Sequence, residues 1–82
     1  MSYKPTQAVI AGRTTLGARI RREREARGLS QEHLALSAGF DRSFLSDLES
    51  GRHSCMVDRV FDLAEALGVD ASSLLDGSSL TD

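Results

Sequence analysis

Apolar residues in this chain recur at intervals of three and four, in short runs set apart by glycines and by Ser, Thr or Asp. Leu16 and Ile20 mark one run, Leu34 and Ala35 a second, Leu45 and Leu48 a third, and Val57, Val60, Leu63, Ala64 and Leu67 a fourth. That period is helical, and no segment alternates as a strand would. Thr14 or Thr15 is placed to cap a first helix that runs to about residue 27, where Gly28 supplies a left-handed stop. Ser30 caps a second helix, about 31–37, and Asp41 a third, about 42–50, ended by Gly51. A fourth covers about 56–67 before Gly68, and Asp70 opens a short fifth over 71–75.

Residues 1–13 contain Pro5 and Gly12 and hold no period, so they read as an irregular arm; 78–82 reads as a tail. The expected fold is therefore all-α: a compact five-helix domain over 14–77. None of its helices is long enough to stand alone, so mutual packing must hold them.

The stretch 30–50 is the most informative. Two stubby helices joined by Ala38-Gly39-Phe40 make a helix-turn-helix unit. In that arrangement the first helix braces the second, whose outer face is left free to enter a major groove. Here that face is polar: Arg42, Ser43, Ser46 and Asp47 lie opposite Leu45 and Leu48. A bulky side chain in place of Gly39 is expected to block the turn. The Asp41 side chain is expected to cap the third helix and so set the depth of Arg42.

The net charge of −2 argues against a polyanion partner until its distribution is considered. Residues 13–52 carry eight arginines against six acids, a net of +2; residues 53–82 carry one arginine against six acids, a net of −5. One half can face a polyanion while the other is turned away. The single cysteine, Cys55, has no internal disulfide partner, which suits a reducing cytoplasm. No apolar run approaches the ~20 residues of a membrane span. Cys55, His53 and His33 lack metal-ligand spacing, and no nucleophile–base set or phosphate-cradling loop is present. No cofactor is implied, and the chain is not expected to be an enzyme.

The stretch GLSQEHLALSAGFDRSFLSDLESGR, continued by LAEALGVDASSLL, resembles the helix-turn-helix family of the phage lambda repressor and Cro, often called the XRE family. Within it, residues 41–46 most resemble the controller proteins of restriction–modification systems. The resemblance covers about 16–75 and is anchored by Gln31, Ala35, Gly39, Leu48-Glu49, Gly51 and Leu67-Gly68-Val69. It implies a dimeric, sequence-specific regulator that binds double-stranded DNA in the major groove. Gln31 matches a residue that bonds a phosphate while supporting the third helix. Arg42, Ser43, Ser46 and Asp47 match base-facing positions, and Arg52 and His53 a usually basic pair that contacts the backbone.

Arginine to guanine is the commonest specific pairing, which favours Arg42 as a base reader. Asp47 has two roles open to it: accepting from a cytosine amino group, or pairing with a nearby arginine. The resemblance also implies an Arg24–Glu49 ion pair between the first and third helices. Two departures stand out: His53-Ser54-Cys55 replaces a common Arg-Asn-Pro, and Phe44 replaces a tyrosine. Phe40 and Phe44 read as turn-packing residues, His33 as exposed, and Cys55 as an inert thiol with redox sensing as the alternative. A homodimer is expected through the fifth helix and the end of the fourth, where Phe61, Leu74 and Leu75 exceed what a small core needs. The competing function is an antitoxin-type protein-interaction module that also binds DNA, with the acidic second half as its docking face.

Overall fold

Thr6, rather than Thr14 or Thr15, opens the first helix. In the computed structural model, which describes residues 2–75, α1 runs from Gln7–Ala26. The Thr6 hydroxyl accepts from the Val9 N–H at 3.2 Å, and its carbonyl accepts from Ile10 at 3.0 Å. Thr14 lies inside the helix and donates its hydroxyl to the Ile10 carbonyl at 3.1 Å, the back-bond of an interior threonine. Residues 2–6 of the expected irregular arm hold no helix or strand, while 7–13 are two helical turns. They carry no apolar stripe because only Val9, Gly12 and Arg13 among residues 7–13 are even half-buried.

α2 (Gln31–Ala38) begins as expected, with the Ser30 hydroxyl accepting from the His33 N–H at 3.0 Å. It ends in a turn centred on Gly39, where the Phe40 N–H reaches the Ala35 carbonyl at 2.7 Å and the Gly39 N–H the Leu36 carbonyl. The reason for glycine differs from the one expected. A Cβ on Gly39 would meet nothing within 4 Å, so space is not the constraint; its φ of +79° is.

α3 (Arg42–Glu49) starts at Asp41, but the Asp41 side chain makes no capping hydrogen bond. Only its carbonyl serves, accepting from Leu45 at 3.1 Å. The depth of Arg42 is therefore set by the Gly39 turn and by the burial of Leu45 and Leu48 beneath it, not by the carboxylate.

α4 (Val57–Leu67) and α5 (Ala71–Leu75) complete the bundle. Ile20, Leu34, Ala35, Leu45, Leu48, Val60, Leu63, Ala64, Leu67 and Leu74 form one continuous core. Val57, expected in that row, is exposed because it sits in the first turn of α4, ahead of the packed turns. Leu74, expected at a dimer interface, is only 1% exposed. It fills the gap between α1 and α4, leaving Leu75 and Phe61 on the surface. The Arg19 guanidinium helps hold α5 there, donating to the Ser73 carbonyl at 3.4 Å.

α1 crosses the end of α3 at Gly17. A Cβ there would collide with the carbonyl oxygens of Leu48 and Glu49, so the two backbones meet with no side chain between them. The expected tail, 78–82, and the expected domain end at 77 lie outside the described residues.

Candidate nucleic-acid interface

α3 is eight residues long, about 12 Å, and stands on Leu45 and Leu48. Its outer side carries Arg42 and Ser43, both exposed, then Ser46 and Asp47, both half-buried by the neighbouring segments. An arginine in the first turn opposes the helix dipole. Arg42 also pairs with no acid among the described residues, so nothing in the fold accounts for its charge.

The helix is held from behind by a buried cluster. Arg24 of α1 grips Glu49 with both ends of its guanidinium, Nε to Oε2 at 2.7 Å and an Nη to Oε1 at 2.9 Å. Its other Nη donates to the Leu29 carbonyl at 2.8 Å, tying in the α1–α2 joint. Gln31 Nε2 donates to Glu49 Oε1 at 3.0 Å from the start of α2. The Arg24 and Glu49 side chains are 11% and 4% exposed. The hydrogen bond to Glu49 raises the Arg24 pKa above its ordinary value, outweighing burial, so the charge on this arginine is secure. The ion pair implied by the family resemblance is present, and three helices converge on one carboxylate.

Beyond the end of α3 lies a second, looser cluster. Asp47 Oδ1 is 3.9 Å from a terminal nitrogen of Arg52, and Oδ2 is 3.5 Å from His53 Nε2. The Arg52 N–H donates to the Asp47 carbonyl at 2.9 Å, which folds the loop back against the helix. The His53 ring lies 6.3 Å from Phe44, which packs edge-on to Phe40 at 5.4 Å. Arg59 of α4 covers the Phe40 ring at 5.4 Å. Phe40 and Phe44 thus serve the turn and the core margin, while His33 is exposed. Cys55 is half-buried, and burial pushes its thiol pKa up, toward the protonated and less nucleophilic form.

The seven residues singled out in the sequence fall into three groups. Arg42 and Ser43 stand free on the first turn. Gln31 and Ser46 flank a depression of about 260 Å³ between α1, α2 and α3. Asp47, Arg52 and His53 meet at the far end. The sequence reading overlooked Gly17, whose role depends on a helix crossing that no local pattern encodes, and Arg59, whose ring partner lies 19 residues away in the chain. No helix among the described residues is long and apolar enough to cross a membrane.

A short helix with a polar outer face, braced by its predecessor through a glycine turn, defines a helix-turn-helix domain of the lambda-repressor-like class. Residues 15–75 match the family model described as a helix-turn-helix domain, and the chain belongs to that family. It is 38% identical over 63 residues to the HTH-type transcriptional regulator y4dJ of Sinorhizobium fredii, spanning 77% of this chain and 82% of that protein. It is 32% identical over 69 residues to the control protein C.BamHI of Bacillus amyloliquefaciens, spanning 83% of this chain and 85% of that one. Among solved structures, the restriction–modification controller protein C.AhdI of Aeromonas hydrophila matches with a TM-score of 0.76 and 38% identity, covering 78% of this chain and 97% of that one.

Proposed function

We propose that this chain is a sequence-specific DNA-binding transcriptional regulator that acts as a homodimer on a (pseudo)palindromic operator, in the manner of a restriction–modification controller or autoregulator. The observation that carries the reading is Arg42: an exposed arginine, paired with no acid among the described residues, on the first turn of a helix whose other side is fixed by the buried Arg24–Glu49 pair and by Gln31. A rigid mount with one free guanidinium suits base readout, because a guanidinium can donate two hydrogen bonds to guanine O6 and N7. Ser43 and Ser46 complete the face toward the groove, and Asp47 lies at its far end. Gln31, Arg52 and His53 border it where phosphates would run. The similarity to C.BamHI and C.AhdI supports the controller reading. The protein works by binding rather than by catalysis, in the cytoplasm.

One such module makes few contacts, and two recognition helices about 34 Å apart read successive major grooves. Phe61 of α4 and Leu75 of α5, both exposed, are the residues we assign to the dimer contact; Leu74 is excluded by its burial.

Selection of bound duplexes from a random pool tests the proposal. The wild type should yield one inverted repeat. Arg42→Ala should weaken binding by ~1–3 kcal/mol and flatten preference at one position in each half-site. Equal weakening on every sequence would make Arg42 a phosphate clamp, and a pool without an inverted repeat would count against the dimer.

A further inference from the structure

We infer that Asp47 is a counter-anion for Arg52, with the His53 ring beside it, that limits indiscriminate DNA binding, and that it is not a base reader. The inference rests on the DNA-binding reading above and concerns how the same face separates its operator from other DNA. Three observations carry it.

The first is that the two carboxylate oxygens are divided between two partners. Oδ1 faces Arg52 and Oδ2 faces His53, at 3.9 and 3.5 Å. Accepting from a cytosine amino group would require an oxygen aimed outward, and both are turned toward the loop.

The second is depth. The Asp47 side chain is 34% exposed, against 77% for Arg52 and 59% for His53. The acid is less exposed than the Arg52 guanidinium and the His53 ring, so a phosphate arriving at the loop meets them before it meets Asp47.

The third is that the loop is built to keep them there. Gly51, with φ +78°, lets the Arg52 N–H turn back to the Asp47 carbonyl at 2.9 Å, which holds residues 47 and 52 together by the main chain and brings His53 with them. On the same surface Arg42 has no acid among the described residues. Among the described residues the Arg42 guanidinium therefore faces the groove without an acid, while Arg52 shares its charge with Asp47.

The consequence follows from the two kinds of contact. Binding to random DNA comes almost wholly from phosphate neutralisation, so an anion beside the phosphate-facing cations weakens it directly. Operator binding draws in addition on base contacts from α3, and it gains from having Arg52 and His53 held in place. Asp47 thus lowers the background more than it lowers the operator complex. It is a specificity-determining residue acting through its neighbours.

The test compares wild type, Asp47→Ala and Asp47→Asn on the selected operator and on a random duplex across a salt series, with thermal melts to confirm equal folding. Both variants should bind random DNA about two- to threefold more tightly at low salt, with a log–log salt slope steeper by up to about 0.9, as one more phosphate contact is freed. Operator affinity should change less, so the ratio of the two falls, and a repeat selection with either variant should return the same consensus. Two results would overturn the inference: unchanged affinity for random DNA, or loss of preference at one base position. If the wild type bound neither duplex, the DNA-binding reading itself would fail, which the unmutated protein alone reveals.

Discussion

Glu49 and Asp47 sit two residues apart on α3, and each is met by side chains from other segments. Two residues is about 200° of helix turn, so the two carboxylates face opposite ways. Glu49 points back to α1 and α2, is almost fully buried, and accepts three hydrogen bonds of 2.7–3.0 Å. Asp47 points to the loop after α3, is a third exposed, and keeps its partners at 3.5–3.9 Å. The same chemistry does different work in the two places. A buried, hydrogen-bonded charge pair fixes geometry, since neither partner can leave without stranding the other. An exposed pair is exchangeable, and a phosphate can compete for its cations. α3 is thus rigid where it is mounted and adaptable at the end we assign to the DNA backbone.

Removing Glu49 should break this contrast most severely. Glu49→Ala leaves the Arg24 guanidinium buried with the Leu29 carbonyl as its remaining hydrogen-bond partner among the described residues, and takes the acceptor from the amide of Gln31. Loss of one member of a buried pair costs about 3–5 kcal/mol. For a domain of this size that is a fall of more than ~10 °C in the melting midpoint. A loss below about 1 kcal/mol in urea titration would put this pair in the same class as Asp47.

Gly17 tests the mount from its other side. In Gly17→Ala the added methyl group meets the Leu48 and Glu49 carbonyls, main-chain atoms that can give way only if α1 and α3 separate. Overpacking of this kind costs ~1–3 kcal/mol, and the helix preference for alanine returns at most about 1. A net loss of about 2 kcal/mol in chemical denaturation is expected, with operator affinity falling as α3 shifts on its support. Gly12→Ala in the same helix is the control: nothing lies within 4 Å of its would-be Cβ, so that change should stabilise slightly.

What the sequence could reveal of this arrangement follows from where the information resides. The α2–turn–α3 unit was legible because its signals are local: Ser30 as cap, Gly39 at a left-handed end, Leu45 and Leu48 on one side. The start of α1 was not, because its first two turns bury too little to leave a periodic stripe. Nor could the pattern decide between Leu74 and Leu75. In a five-residue helix both are compatible with burial, and only the packing of α5 against α1 and α4 chooses Leu74. At the site, sequence and family resemblance together named the residues on α3 and the Arg24–Glu49 pair. For Asp47 the sequence left two roles open, a base contact or a nearby arginine, and only the folded loop brings Arg52 and His53 to it. The crossing at Gly17 belongs to tertiary geometry and left no local trace.

Gln31 stands between the two classes, and a smaller effect is expected there. Its amide donates to the buried Glu49, yet the residue itself is half-buried at the edge of the face assigned to DNA. Gln31→Ala should cost about 1 kcal/mol of stability, as a single hydrogen bond to a charged acceptor does when the acceptor keeps other partners. If the remaining polar atoms of the amide also reach a phosphate, the folded variant should bind operator and random DNA more weakly by a similar factor. An affinity loss confined to the operator would point instead to a shift of α3.

The smallest effect sharpens the comparison most. Asp47→Ala should change stability by less than about 1 kcal/mol, because its partners are long or mobile side chains facing water and their attraction is screened. A double-mutant cycle with Arg52→Ala isolates the pair. The coupling should be a few tenths of a kcal/mol at low salt and should vanish near 1 M, where the screening length is about 3 Å, shorter than the pair itself. The Arg24–Glu49 coupling, measured the same way, should persist at that salt because water and ions do not enter between the groups. If the Asp47–Arg52 coupling also survived high salt, the loop would be a structural clamp, and the division between a fixed mount and an exchangeable margin would be wrong.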